Sequence, residues 1–148
     1  MTILGIDPGL ATVGYGVIIK GEKNICADYG IISTPKQLSV AERLMLIGSS
    51  LEEIILKHRP DAVAVEELFF NTNVKTAINV SHARGVIIYT AKKMGCKLYE
   101  YTPLQIKQGL TGYGRADKNQ IQQMVKLLLC LSKLPRPDDA ADALAVAL

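Results

Sequence analysis

Tryptophan is absent, phenylalanine occurs only as the adjacent pair Phe69 and Phe70, histidine only as His58 and His82, and cysteine only as Cys26, Cys96 and Cys130. An odd number of widely spaced thiols in apolar surroundings supports neither a disulfide framework nor a zinc ribbon, so all three read as core thiols. No apolar run reaches spanning length, and the start lacks the basic and apolar regions of a signal peptide; a cytoplasmic address is expected. Low-complexity stretches are missing as well. With 49% hydrophobic and 21% charged residues among 148, the composition is that of one globular domain, residues 1–148, with a substantial core.

Charge is present but unevenly spread. From Lys75 to Arg136, 11 Lys or Arg stand against two acids, Glu100 and Asp117; Met1 to Val74 carries nine acids against six bases, and Pro137 to Leu148 three aspartates and no base. A basic surface around an acidic nest suits a protein that handles phosphodiesters. A solvated lysine-rich helix face would give the same pattern.

The chain is organised around Ile3 to Gly16, ILGIDPGLATVGYG. Apolar residues up to Asp7 and a second run from Val13 to Lys20 predict a buried strand, a turn at Pro8 and Gly9, and a return strand. Asp7 is then a carboxylate inside a sheet, which needs a metal ion, a lysine or a raised pKa to relieve a cost of several kcal/mol. An Asx turn capping Pro8–Gly9 is the competing reading. Lys23 to Ser33 alternates as a third strand, antiparallel to the second because the link is short. Ser39 to Glu42 forms a capping-box pattern ahead of a helix that ends at His58–Arg59–Pro60, with His58 as a partner of the helix C-terminal dipole. Asp61 to Val65 reads as a buried strand, followed at once by Glu66 and Glu67.

Asn71 to Asn73 can start a helix running to Met94 and stopping at Gly95. Its Ala77, Ser81 and Gly85 make a groove of small residues, and its apolar surface exceeds one stripe, so one side can cover the sheet and another meet a second subunit. His82, without partners at ligand spacing, reads as packing or surface. Lys97 to Tyr101 is a fifth strand, Pro103 to Leu110 a short helix, Thr111 to Arg115 a link, and Asp117 with Gln120 a capping pair for the next helix. After Pro137 comes an Ala-rich helix bearing Asp138, Asp139 and Asp142. The whole predicts an α/β domain: a mixed sheet of three antiparallel and two parallel strands with helices on both faces.

Asp7, Glu66, Asp139 and Asp142 are acids where an acid is locally out of character. An all-oxygen set of this kind suits Mg²⁺ or Mn²⁺, and four carboxylates match a two-metal site for attack on phosphorus. Asp138 and Asp139 can each share a face with Asp142; an aspartate directly after Pro137 is well placed as N-cap, which assigns Asp138 to the backbone and leaves Asp139 free.

GIDPG at Gly5 to Gly9 with GYGV at Gly14 to Val17, VEELFF at Val65 to Phe70, ARGV at Ala83 to Val86 and DAADALA at Asp139 to Ala145 together resemble the RuvC family of bacterial Holliday junction resolvases, nearly end to end and in the same order. The resemblance implies a ribonuclease-H-like fold, a homodimer, Mg²⁺-dependent hydrolysis of two symmetric phosphodiesters in a four-way junction, with Mn²⁺ as a substitute, and partnership with the RuvA–RuvB branch-migration complex. By matching motif, Asp7, Glu66, Asp139 and Asp142 would be metal ligands, Lys107 and Lys118 basic residues near the scissile phosphate, and Phe69 an aromatic meeting bases at the crossover. Arg115 joins them as a DNA-binding candidate, Phe70 is expected in the core, and Glu67 beside the site or on the surface. The chain stops inside its last expected helix, which reads as a shortened C-terminus. Another ribonuclease-H-like nuclease and a junction-binding module with lapsed catalysis are the rival readings; a sugar-kinase-like ATPase would need two lobes and a longer chain.

Overall fold

A computed structural model describes residues 1–67 and 74–148. Five strands, β1 (Thr2–Asp7), β2 (Thr12–Ile19), β3 (Ile25–Ser33), β4 (Ala62–Glu66) and β5 (Lys97–Tyr101), form one sheet in the order β3-β2-β1-β4-β5. The pairs β1–β2 and β2–β3 are antiparallel, while β1–β4 and β4–β5 are parallel. The helices are α1 (Val40–His58), α2 (Val74–Lys93), α3 (Pro103–Thr111), α4 (Lys118–Leu128) and α5 (Asp138–Ala147). The expected strands and helices are all present, with ends displaced by one or two residues. The expected helix start at Asn71 to Asn73, like Phe69 and Phe70, lies outside the described residues.

Period-two alternation sorts the sheet into two faces. Leu4, Ile6, Val13, Val17, Val63 and Val65 point to a core closed by Ile47, Leu51 and Ile55 of α1 and Ala83, Ile87 and Ala91 of α2. Ile3, Ile18 and Ala64 point the other way, to α3, α4 and α5. Asp7 and Glu66 end their strands on that second face, in step with Ile3 and Ala64. Local chemistry fixes the helix ends: Ser39–Glu42, Thr102–Gln105 and Asp117–Gln120 are complete capping boxes, and Arg59 and Gly112 close α1 and α3 in the left-handed region.

The Ala-rich composition of α5 has a packing cause. Seven of its residues, Ala140, Ala141 and Ala143 to Ala147, are buried, and a Cβ at Gly5, Gly14 or Gly16 would collide with Ala143, Asp139 or Leu144 respectively. Small residues on both surfaces let the helix lie flush on β1 and β2. Gly5→Ala should therefore destabilise the fold by about 1–3 kcal/mol, the usual cost of overpacking, because the obstacle is helix backbone; a urea midpoint unchanged from the parent would refute this close approach. One thiol departs from expectation: Cys96 is buried and Cys26 half-buried, but Cys130 is exposed. It follows α4 with φ 51, a chain-reversing position outside either core. His58, in the last turn of α1, also meets Asp28 of β3 at 2.9 Å, beside Lys57 at 2.8 Å. Among the described residues no helix is long and apolar enough to cross a membrane.

Candidate active site

Strand ends and helix starts converge at one edge of the second face. β1 delivers Asp7, β4 delivers Glu66, α5 delivers Asp142 one turn in, and the first residue of α4 delivers Lys118. Together with Lys107 of α3 these residues line a cleft of about 320 Å³, walled by Pro103, Ile106, Ile121, Ala145 and Val146. A larger cavity of about 390 Å³ shares Ile106, Ala145 and Val146 with it, but its one acid, Asp61, accepts the Thr2 backbone N–H at 2.7 Å. The smaller cleft is the one in which several carboxylates gather.

Ionisation in the cleft is strongly perturbed. Burial, and then the like charges of Glu66, Asp142 and Asp139, push Asp7 up to about 8, with Lys118 acting in the opposite direction. Burial and then Asp142 raise Glu66 as well, against a hydrogen bond from Asp7 and the charges of Lys107 and Lys118. Asp142 is raised by burial, partly offset by Lys118. Among the described residues no backbone N–H of the Pro8–Gly9 turn donates to the Asp7 carboxylate, so the Asx-turn reading gives way to a carboxylate crowded by others. Lys118 Nζ lies 3.1 Å from Asp142 and 3.5 Å from Asp138. Partial burial works against its charge, yet these two carboxylates hold it above the ordinary lysine value.

The donor set fits a hard divalent cation: clustered carboxylate oxygens, short of positive charge, with burial resisting their ionisation. Among the described residues no three acids already stand close enough to clasp one ion. A divalent cation would supply the positive charge that this crowded set of carboxylates lacks. A raised pKa also links the nest to folding. The neutral form of Asp7 is favoured in the folded chain, so its contribution is fully present below the ordinary carboxylate value of 3.8 and is lost as pH rises to about 8. In chelator, stability should fall across that window by several kcal/mol, since each tenfold change in proton affinity is worth about 1.4 kcal/mol. Urea titrations at several pH values check this, and Asp7→Asn should flatten the slope.

The start of α5 corrects one expectation. Asp138 is not the N-cap: Pro137 holds that position and makes no side-chain cap bond. The Asp138 carboxylate is engaged instead by the Arg136 guanidinium, by Gln122 Nε2 at 3.3 Å and by Lys118. Side chains brought in from α4 outcompete the local backbone. Asp139 begins the turn that carries Asp142, and its backbone rests on Gly14, the β2 partner of Asp7. It acts on Asp7 by charge without lining the cleft. Arg115 is exposed on the α3–α4 link, outside the cleft lining.

Residues 3–148 match the family model of crossover junction endodeoxyribonuclease RuvC. The chain belongs to the RuvC family. The RuvC of Alkaliphilus oremlandii is 60% identical over 149 residues, covering 100% of this chain and 91% of the relative. That of Clostridioides difficile is 54% identical, covering 100% and 88%. Among solved structures, Thermus thermophilus RuvC in complex with Holliday junction substrate is 39% identical with a TM-score of 0.93, over 99% of this chain and 90% of that one. A yeast mitochondrial Holliday junction resolvase, at 16% identity and a TM-score of 0.69, shares the ribonuclease-H-like fold.

Within this RuvC-family chain two neighbours of the site escaped sequence reasoning. Asp138 was assigned to the backbone rather than to Lys118. Arg84, inside the ARGV stretch, received no role, although it reaches Glu66 and Glu100. A charged residue on a helix otherwise rich in small and apolar side chains was the available signal.

Proposed function

We propose that this RuvC-family endodeoxyribonuclease resolves four-way DNA junctions as a homodimer, each subunit hydrolysing one of two symmetric phosphodiesters with Mg²⁺. The observation that carries the reading is the meeting of Asp7, Glu66 and Asp142 with Lys118 and Lys107 in one cleft, in a chain so similar to a RuvC solved on a Holliday junction. Asp7, Glu66, Asp139 and Asp142 would hold two Mg²⁺ ions, with Mn²⁺ able to replace them. Bound there, the cation supplies Lewis-acid activation of water and neutralises charge on the scissile phosphate. Lys118, at a helix start and paired with Asp142, is placed to turn from the carboxylate to a phosphate oxygen once other positive charge enters the nest. Lys107 also lines the cleft, and Arg115 and Phe69 would add further DNA contacts. By family resemblance the chain works in the cytoplasm with the RuvA–RuvB branch-migration complex.

A synthetic four-way junction and a matched duplex, each incubated with and without Mg²⁺, test this. Paired nicks in the junction alone, and only with the metal, are expected. Equal cutting of the duplex would favour a different nuclease specificity, and binding without cutting a lapsed enzyme.

Dimerisation is supported by the outward side of α2. Ile78, Ser81, His82, Gly85 and Tyr89 are exposed at helical spacing, with Ile78 51% and Tyr89 67% accessible, a stripe of apolar and small residues that a second copy can cover. Ser81→Arg should yield monomers that bind a junction at least about tenfold more weakly, a loss of about 1.4 kcal/mol. Sedimentation showing an unchanged dimer would exclude this face.

A further inference from the structure

We infer that Arg84 is a positioning residue, which aims the Glu66 carboxylate into the cleft by bracing the backbone at the end of β4. The inference rests on Glu66 serving as a metal ligand, and it starts from one peptide group. The N–H of Glu67 donates to the Tyr101 carbonyl of β5 at 2.8 Å. In a trans peptide the C=O points opposite to the N–H, so the Glu66 carbonyl is turned away from β5 and towards β1. There the register runs Gly5 to Ala64 and Ile6 to Val65, and the residue two beyond Ile6 is Pro8, which has no N–H to give. The strand pairing therefore leaves this carbonyl without its ladder donor. Arg84 Nε, from α2, approaches it at 3.4 Å, and the same guanidinium pairs with Glu100 on β5.

One side chain thus joins the ends of β4 and β5 to α2. Its own side chain is 22% exposed and that of Glu100 37%, so solvent only partly replaces these bonds. A ligand must be held within about 0.5 Å of its productive position, and rotation of the Glu66–Glu67 peptide would move the Glu66 side chain directly. A plain ion pair that merely fastens α2 to the sheet would need Glu100 but not the carbonyl. Lysine at position 84 can keep the ion pair, but its single ammonium cannot span both partners as the guanidinium fork does.

The test compares Arg84→Lys, Arg84→Gln and Glu100→Gln in the full chain. Two readings are taken: the Mg²⁺ concentration for half-maximal junction cleavage, and the rise in Tm that Mg²⁺ produces. Residues that orient metal ligands typically change affinity about 10–100-fold. Arg84→Lys should raise the Mg²⁺ midpoint about tenfold or more and shrink the Mg²⁺-induced rise in Tm, with the rate largely regained at high Mg²⁺. Glu100→Gln should lower Tm in chelator while leaving the midpoint near the parent value. Arg84→Gln carries the same expectation as the lysine variant if that one does not fold. A parental midpoint in both Arg84 variants, or an equal displacement in Glu100→Gln, overturns the brace. Glu66→Gln in the same titration separates the two layers: an intact Mg²⁺ response there removes the ligand reading and the brace with it, whereas a response lost in Glu66→Gln but parental in both Arg84 variants removes the brace alone.

Discussion

Asp7→Asn should give a protein that folds, binds a four-way junction as the parent does and cleaves it more slowly by on the order of 10²–10³-fold or more, the range seen when one preorganised charge-stabilising group is removed. Asparagine preserves the shape but lacks the charge that a divalent cation needs. Binding should be separable if it draws on the excess of basic residues between Lys75 and Arg136, and DNA affinity of that kind falls steeply with salt. The free carboxylate is also a burden on the metal-free fold, with burial and then Glu66 pushing its pKa up to about 8. The variant should consequently resist urea better than the parent at and above that pH in chelator. Cleavage kinetics, junction binding at several salt concentrations and chelated denaturation examine the three parts separately. Near-parental cleavage would remove Asp7 from the chemistry, whatever the other two showed.

The legibility of Asp7 in the sequence came from contrast: a carboxylate in an apolar strand has few explanations, and a site is one of them. Glu66 was legible for the same reason. The shared face of Asp7 and Glu66 needed the parallel register of β1 and β4, which no local pattern states, although both acids follow their strands' alternation. Helix ends were readable where the capping chemistry is local, as at Ser39 and Asp117. Asp138 was misread because its partners come from elsewhere; Gln122 and Lys118 reach it only after α4 has docked beside α5. Gly14 and Gly16 were visible as a periodic oddity, but what they admit, the backbone of α5, is a tertiary fact. The same limit hid Arg84, whose carbonyl acceptor is left open by Pro8, just past the end of the neighbouring strand β1.

The adjacent aspartates at the start of α5 should separate chemistry from scaffold. Asp138→Ala removes the acceptor for Arg136 and Gln122 and one of the two carboxylates holding Lys118. Gln122 is buried, so its stranded amide should cost about 1–3 kcal/mol of stability, the penalty of an unsatisfied buried donor. Cleavage should persist at saturating Mg²⁺, because Lys118 keeps Asp142 at 3.1 Å. Asp139→Asn should do the reverse. Its carboxylate is one of those raising Asp7, so neutralising it relieves like-charge repulsion and holds or raises metal-free stability. Turnover should fall by on the order of 10²–10³-fold, as for Asp7, if both supply charge to the same cation. Urea midpoints and single-turnover cleavage, measured on both variants, give four results that the register of α5 must satisfy together. An inactive Asp138→Ala beside an active Asp139→Asn would move the ligand to Asp138, four residues from Asp142 rather than three, and would make its bond to Lys118 part of the reaction instead of part of the scaffold.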